Sequence, residues 1–233
     1  MKILITSAKQ ACSFELAYLL KDQEILFGET NYPSPKFPSV NSISLAHELL
    51  SFCLDFEIEQ VYAVREGELK TLLEAKILFA EFGIEIIGSN YIYDDADAQA
   101  NSYADFSSKL LSSGYPNQKL AIGQTNFNGD LIILNDEQKD FNKVWSKLNQ
   151  LSFTQLGKLF NQPNFETLSI YVVQDNLQGI NVLILNNEPH FITSLPSEII
   201  ENVKNKLLSH QVDGFYQVHL SGDRILRIKN VAN

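Results

Sequence analysis

The amino-acid sequence predicts an α/β protein in which a doubly wound parallel sheet is followed by a smaller α+β part with an antiparallel sheet. Strand-like and helix-like patterns alternate over the first ninety residues, and parallel neighbouring strands need helical crossovers. In the second half, strand patterns follow one another across hairpin-length connections, which is typical of antiparallel pairing. Of the 233 residues 45% are hydrophobic, so the chain can bury a substantial core.

The first part of the chain alternates four strand patterns with three helix patterns. Short apolar runs predict buried strands at 2–6, 24–28, 60–64 and 84–87, and apolar side chains at helical spacing predict helices at 13–21, 44–56 and 68–82. Ser13 can cap the first helix, and Gly83 follows the third where helices commonly end. The segment 31–40 holds three of the seven prolines and predicts a loop.

The pattern changes after Gly88, where residues 98–112 predict a weaker helix. Strands are then predicted at 120–123, 131–135, 168–173, 180–185, 191–193, 214–220 and 224–228, with helices at 137–151 and 196–209. Connections at 175–179, 186–189 and 221–223 are short enough for hairpins. We therefore expect a Rossmann-like domain over 1–90, a helical connector over 91–118 and an α+β domain over 119–233.

The composition excludes several classes of protein. The sequence has 28 acidic residues against 18 Lys and Arg, a formal charge of −10, and no basic cluster that would bind nucleic acid. Two cysteines, Cys12 and Cys53, are too few for a disulfide framework. The opening MKILITS is not a signal peptide, and no apolar run approaches the length of a membrane helix. We expect a cytoplasmic protein that binds neither nucleic acid nor membrane.

The turn after the first strand is one candidate binding segment. In doubly wound sheets phosphates bind here, and dinucleotide sites carry GxGxxG so that the backbone approaches the pyrophosphate closely. This turn contains no glycine, which argues against dinucleotide binding. Thr6, Ser7 and Lys9 could instead meet a carboxylate or phosphate of a ligand. The alternative is a plain structural turn.

Arg65 and Glu66 form a second candidate segment, because they follow the strand QVYAV at the edge where open α/β sheets place ligands. The alternative is a solvated turn at the entry to a helix. Other chemistry is not supported. The four histidines lack metal-ligand spacing, Cys12 has no identifiable histidine partner, and neither a GxSxG elbow nor a GxxxxGK[ST] loop occurs.

Several segments together carry a family resemblance: KILITSAKQACSFELAYLL, QVYAVREGELKTLLEAKILFAEFGIEIIGSN, NSYADFSSKLLSSGYPNQK, NFETLSIYVVQDNLQGINVLIL and DGFYQVHLSGDRILRIKN. Their order resembles the ATP-grasp superfamily, in particular carbamoyl-phosphate-synthase-like proteins and carboxylate–amine ligases. The resemblance implies a pre-ATP-grasp domain followed by an ATP-grasp-like domain that binds ATP and Mg²⁺.

The sequence departs from that family where the family holds ATP and the metal. Between 123 and 168 there is no VVKP strand and no glycine-rich lid, and Lys119 is the residue that could stand for one phosphate-binding lysine. The resemblance implies an acidic ligand on the penultimate strand, where this sequence has Gln217 and His219. It implies a glutamate on the last strand, where Ile228 stands if Asn230 matches the family asparagine, and where Arg227 or Lys229 stands in other registers. A cation there would repel Mg²⁺.

These observations lead to a working hypothesis with two alternatives. The chain is a shortened, degenerate ATP-grasp-like pseudoenzyme that binds a small molecule through Thr6, Ser7, Lys9, Arg65 and Glu66, or that partners an active ligase or a second copy of itself. No catalytic residue, metal site or cofactor is predicted. One alternative is a minimal ATP-dependent carboxylate–amine ligase, for which ATP and Mg²⁺ would be the cofactors. The other is a Rossmann-like ligand-binding module fused to an unrelated α+β domain.

Overall fold

The computed structural model describes residues 1–29, 37–90, 92–94, 99–100, 102–113, 120–124, 132–134, 168–172, 177–208 and 213–232. The chain divides into two compact units. The first consists of Met1–Tyr93, Gly179–Val218 and Ile228–Asn233, and the second of Asp94–Gln178 and His219–Arg227. The helix expected at 137–151 and most of the proline-rich loop lie outside the described residues.

The first sheet has four parallel strands in the order β2-β1-β3-β4. The strands are β1 (Lys2–Ile5), β2 (Glu24–Phe27), β3 (Gln60–Tyr62) and β4 (Glu85–Ile87), and the helices between them are α1 (Ala11–Leu19), α2 (Leu45–Asp55), α3 (Leu69–Glu74) and α4 (Lys76–Glu81). This arrangement confirms the doubly wound parallel sheet predicted from the alternating patterns.

Alternation along β1 shows why helices cover both faces of this sheet. Leu4 belongs to one core cluster with residues of α2, α3 and α4. Ile3 and Ile5 belong to a second cluster with Leu16 and Leu20 from the α1 segment. Because successive side chains of a strand point to opposite faces, the continuous apolar run 3–5 supplies both cores.

The remaining strands form two further sheets. A five-stranded sheet has the order β11-β10-β12-β13-β5, with β5 (Ile92–Asp94), β10 (Leu177–Leu185), β11 (Glu188–Phe191), β12 (Gly214–Ser221) and β13 (Arg224–Asn230). A separate four-stranded antiparallel sheet has the order β6-β9-β7-β8, with β6 (Gln99–Ala100), β7 (Leu120–Gln124), β8 (Ile132–Leu134) and β9 (Leu168–Val172). The helices here are α5 (Tyr103–Ser112) and α6 (Ser197–Leu208). The predicted combination of a parallel sheet and an antiparallel sheet is confirmed.

Several predicted boundaries were wrong for identifiable reasons. Residues 99–100 form a strand, and the helix begins only after Ser102, whose Oγ accepts a hydrogen bond from the Asp105 N–H at 3.2 Å. Ser13 does not cap α1, because the helix begins at Ala11 and Ser13 lies buried within its first turn. The single helix expected at 68–82 is divided at Ala75 into α3 and α4.

The hairpin between β10 and β11 is confirmed, but its second strand begins earlier than predicted. Leu185 pairs with Glu188 across a two-residue turn, and both turn residues, Asn186 and Asn187, have positive φ angles of 52° and 63°. Two-residue hairpin turns of this kind favour asparagine because it tolerates the left-handed region. Since the turn ends so early, β11 occupies Glu188–Phe191 rather than 191–193.

Candidate functional site

The carboxyl edge of the first sheet has the topology of a ligand-binding crevice. In the order β2-β1-β3-β4 the chain leaves β1 toward one side of the sheet and returns to β3 on the other side. The segments that follow β1 and β3 therefore diverge from a switch point, which is where open α/β sheets bind ligands. Thr6 and Ser7 follow β1, and Arg65 follows β3, so the predicted binding residues lie at this point.

A buried carboxylate occupies the switch point. Glu68, immediately before α3, is completely buried. Its Oε1 accepts hydrogen bonds from the Thr6 hydroxyl and from the backbone N–H groups of Val64 and Arg65, the latter two at 3.1 and 3.0 Å. We refer to Thr6, Arg65 and Glu68 as the Glu68 cluster. The cluster joins the segments after β1 and β3 through one side chain.

The guanidinium of Arg65 is enclosed by the same structure. Its Nε and Nη2 each lie 2.7 Å from Oε2 of Glu68, and Nη1 donates to the Pro38 carbonyl oxygen at 2.6 Å. The guanidinium carbon lies 4.7 Å from the centre of the Phe37 ring, a cation–π distance. Arg65 is only 4% exposed. The positive charge of Arg65 is therefore paired within the protein, and its role in this structure is to hold the fold together.

The electrostatics of Glu68 combine opposing influences. Burial raises the pKa of this carboxyl above its ordinary value, while Arg65 and the hydrogen bond from Thr6 act to lower it. Burial of the charged carboxylate thus costs free energy, and the neighbouring hydrogen-bond donors offset part of that cost. A buried pair of this kind is sensitive to loss of either partner, because the remaining charge would have no compensation.

A second group of polar side chains at this edge joins the buried Ser7 to the more exposed Lys9 and Glu29. The Ser7 hydroxyl donates to Oε2 of Glu29 at 3.1 Å and accepts from the Lys9 backbone N–H at 3.1 Å. Nζ of Lys9 lies 3.3 Å from Oε1 of Glu29, and the side chain of Lys9 is half exposed. Glu66 is exposed to solvent.

The structure thus divides the predicted ligand residues between two carboxylates that the sequence analysis did not identify as site residues. Glu68 brings Thr6 and Arg65 together, and Glu29 brings Ser7 and Lys9 together. Glu66 belongs to neither group, and Lys119 lies outside the described residues. An acidic residue at the start of a helix was the available signal for Glu68, but it gave no indication of the partner near residue 6.

The last strand, which was compared above with the ATP-grasp metal site, buries two cationic side chains. On β13 both Arg227 and Lys229 are buried, at 2% and 6% exposure, and on β12 His219 is buried. Mg²⁺ prefers carboxylate and other oxygen ligands and is repelled by cationic side chains. Within the described part of the chain, no group of three His, Cys, Asp or Glu side chains could hold a metal ion. The side chains described on these two strands therefore do not fit the metal that the resemblance implies.

The cysteines lack the environment of a reactive thiol. Burial and the charge of Glu15 raise the pKa of Cys12, and burial raises the pKa of Cys53 to about 12. Because the thiolate is the nucleophile, both groups are less reactive than a free thiol at neutral pH. Among the described helices, none is long and apolar enough to cross a membrane.

Known proteins resemble this chain in fold and not in sequence. No family model matches the sequence, and no curated protein matches it. The fold is similar to biotin carboxylase from Campylobacter jejuni in complex with β-γ-ATP, with a TM-score of 0.55 and 9% identity over 98% of this chain and 65% of that chain. It is also similar to the biotin carboxylase domain of 2-oxoglutarate carboxylase from Hydrogenobacter thermophilus, with a TM-score of 0.50 and 11% identity over 98% and 63% of the two chains.

An ATP-grasp ligase, PsnB, complexed with minimal precursor, Mg and ADP matches with a TM-score of 0.44 and 10% identity over 100% of this chain and 89% of that chain. The present chain spans less than two thirds of each biotin carboxylase chain. At these identities the likeness concerns the fold. The matched structures therefore show that the fold of this chain is similar to that of ATP-grasp ligases such as the biotin carboxylases.

Proposed function

We propose that this chain is a degenerate ATP-grasp-like protein that does not ligate and that binds a small molecule or partners an active ligase. The observation that carries the proposal is the burial of Arg227 and Lys229 on β13. The resemblance implies a metal-binding glutamate on this strand, and stabilisation of a transferred phosphoryl group requires Mg²⁺ held by carboxylates. A strand that buries cations instead favours a scaffold that has lost this chemistry.

The small molecule would bind at the carboxyl edge of the first sheet. Thr6, Ser7 and Arg65 hold the segments around this edge through their bonds to Glu68 and Glu29. Lys9 and Glu66 carry charges that solvent can reach. In this proposal Lys9 and Glu66 contact the ligand, and the buried residues fix the positions of the segments that carry them.

The alternative is a minimal ATP-dependent carboxylate–amine ligase. It is favoured by the matched carboxylase structures, which contain an ATP analogue or MgADP. In that case Lys119 would contact a phosphate, and carboxylates from outside the described residues would hold Mg²⁺. The proposal that an unrelated α+β domain follows the first sheet is less favoured, because the fold match extends over 98% of the chain.

Isothermal titration of the full chain with ATP·Mg²⁺ distinguishes the two functions. We expect no micromolar binding, and no ADP release when carboxylates and amines are added together. Micromolar binding of ATP·Mg²⁺, or ADP release that depends on a carboxylate, would contradict the proposal and support the ligase. The variant Lys119→Ala provides a control, because it should abolish such binding only if Lys119 holds a phosphate.

The ligand itself can be sought in crystals grown without added small molecules. Density that contacts Lys9 or Glu66 would support the small-molecule form of the proposal. If the edge contains water alone and the chain copurifies with no ligase and no second copy, the binding role is contradicted.

A further inference from the structure

A small open pocket lies in the first compact unit, and its lining includes no residue of the Glu68 cluster. It has a volume of about 170 Å³ and is formed by α1, the beginning of β10 and the segment that follows β11. The lining residues are Glu15, Gly179, Ile180, Asn181, Ile192 and Thr193. The pocket therefore combines a carboxylate, an amide, a hydroxyl group and two aliphatic side chains within one unit.

The charge of this pocket is negative. Glu15 is its charged lining residue, and the Asn181 side-chain amide donates a hydrogen bond to Oε2 of Glu15. An amide orients the carboxylate but leaves its charge in place, and no ion pair joins Glu15 to another described residue. A formal charge of −10 over the whole chain adds to the attraction for a cation.

The other walls suit a short aliphatic chain. Ile192 is 39% exposed although it is a large hydrophobic residue, and Ile180 is partly buried on the neighbouring strand. The Thr193 hydroxyl offers an acceptor for a ligand N–H group. A bare divalent cation fits less well, since Ca²⁺ and Mg²⁺ need several oxygen ligands and one carboxylate supplies too few.

We propose that this pocket binds a small primary alkylammonium ion. The ammonium group donates hydrogen bonds to the Glu15 carboxylate and the Thr193 hydroxyl, and the alkyl chain covers Ile192 and Ile180. This site is separate from the proposed function, because neither loss nor gain of ATP binding changes the prediction. A small ligand in an open pocket implies a dissociation constant of about 1 mM, and the ion pair makes binding weaker at high salt.

Titration of the full chain with n-butylammonium, followed by methyl NMR of the isoleucines, tests the proposal. We expect saturable shifts of the Ile180 and Ile192 methyl signals. The variant Glu15→Gln keeps the shape and the hydrogen bond to Asn181, and it should weaken binding about tenfold, the size of one charge-assisted interaction. The control Glu81→Gln removes an exposed carboxylate on α4 and should leave binding unchanged.

A second variant keeps the test independent of any effect of Glu15 on folding. Because Ile192 covers the alkyl chain, Ile192→Ala should weaken binding of n-butylammonium more than binding of methylammonium. Butyrate, which has the opposite charge, should give no saturable shift. Equal binding by wild type and Glu15→Gln, equal binding of n-butylammonium and butyrate, or shifts that do not saturate would each overturn the proposal.

Discussion

Glu68 and Glu15 are carboxylates of the same compact unit with opposite surroundings. Glu68 is completely buried and receives hydrogen bonds from Thr6, Val64 and Arg65, including the guanidinium of Arg65. Glu15 lines an open pocket and receives one hydrogen bond, from the neutral side-chain amide of Asn181. The difference teaches that a carboxylate enclosed with its counter-ion holds two chain segments together, whereas the carboxylate of Glu15 has a neutral partner and no counter-ion among the described residues.

The largest loss of stability is expected for the variant Glu68→Ala. This change leaves the buried guanidinium of Arg65 without its counter-ion and removes the acceptor for Thr6. Breaking a buried pair in this way costs about 3–5 kcal/mol of the free energy of unfolding, which urea denaturation measures. Glu66→Ala is the matched control, since this exposed neighbour should change stability by less than about 0.5 kcal/mol. Similar losses in both variants would contradict the structural role of Glu68.

A smaller loss is expected from Gly28→Ala, which tests what covers Arg65. A Cβ atom on Gly28 would lie 2.4 Å from Cζ of the Phe37 ring, so the ring must move away. Phe37 also packs 5.0 Å from the Phe52 ring centre. Overpacking of this kind costs about 1–3 kcal/mol in thermal or urea unfolding. The double variant Gly28→Ala/Phe37→Leu should recover part of that loss, and no recovery would assign the cost to another contact.

The pH dependence of stability tests whether burial or the polar partners dominate the pKa of Glu68. Burial raises the pKa of Glu68 in the folded protein above its ordinary value of 4.5. The protonated carboxyl of Glu68 is therefore favoured in the folded state over the unfolded state. Its contribution to the free energy of unfolding is fully present below pH 4.5 and is lost as the pH rises through the raised pKa. Relative to Glu68→Gln, which does not titrate, the wild-type free energy of unfolding should fall over this range. A relative increase would show that Arg65 and the hydrogen bonds outweigh burial.

The smallest effect on stability is expected for Glu15→Gln, within about 0.5 kcal/mol of wild type. The informative readout for this variant is the thiol of Cys12. The charge of Glu15 contributes to the raised pKa of Cys12, so its removal should lower that pKa and speed alkylation by iodoacetamide. Cys53, with its pKa raised to about 12 by burial, should stay unreactive in both proteins. An unchanged rate at Cys12 would show that the field of Glu15 does not reach it.

The sequence was most informative where burial leaves a local pattern. The apolar runs of β1 to β4 and the periodic side chains of α1 and α2 predicted the parallel sheet, because strands buried on both faces are continuously apolar. Boundaries were less predictable, since they depend on single contacts such as the bond from Asp105 to Ser102. The strand β5 was not predicted, because three residues carry too little pattern to identify a strand.

The candidate sites were predicted only in part, because their geometry depends on residues that are distant in sequence. Thr6 and Arg65 could be placed at the edge of the sheet from the ends of the neighbouring strands. The carboxylate that joins them could not, since Glu68 lies 62 residues from Thr6. The pocket at Glu15 was missed for the same reason, because Asn181 is 166 residues from Glu15.

The segment around Ala232 has a consequence for how this unit folds. Ala232 belongs to the same core cluster as Leu4, and its carbonyl oxygen accepts a hydrogen bond from the Gly67 N–H at 3.1 Å. Residues 228–233 are therefore part of the unit that begins at Met1. During synthesis the core around Leu4 stays incomplete until this late segment has left the ribosome. Such non-local closure is slow, because residues far apart in sequence must meet before the core is complete.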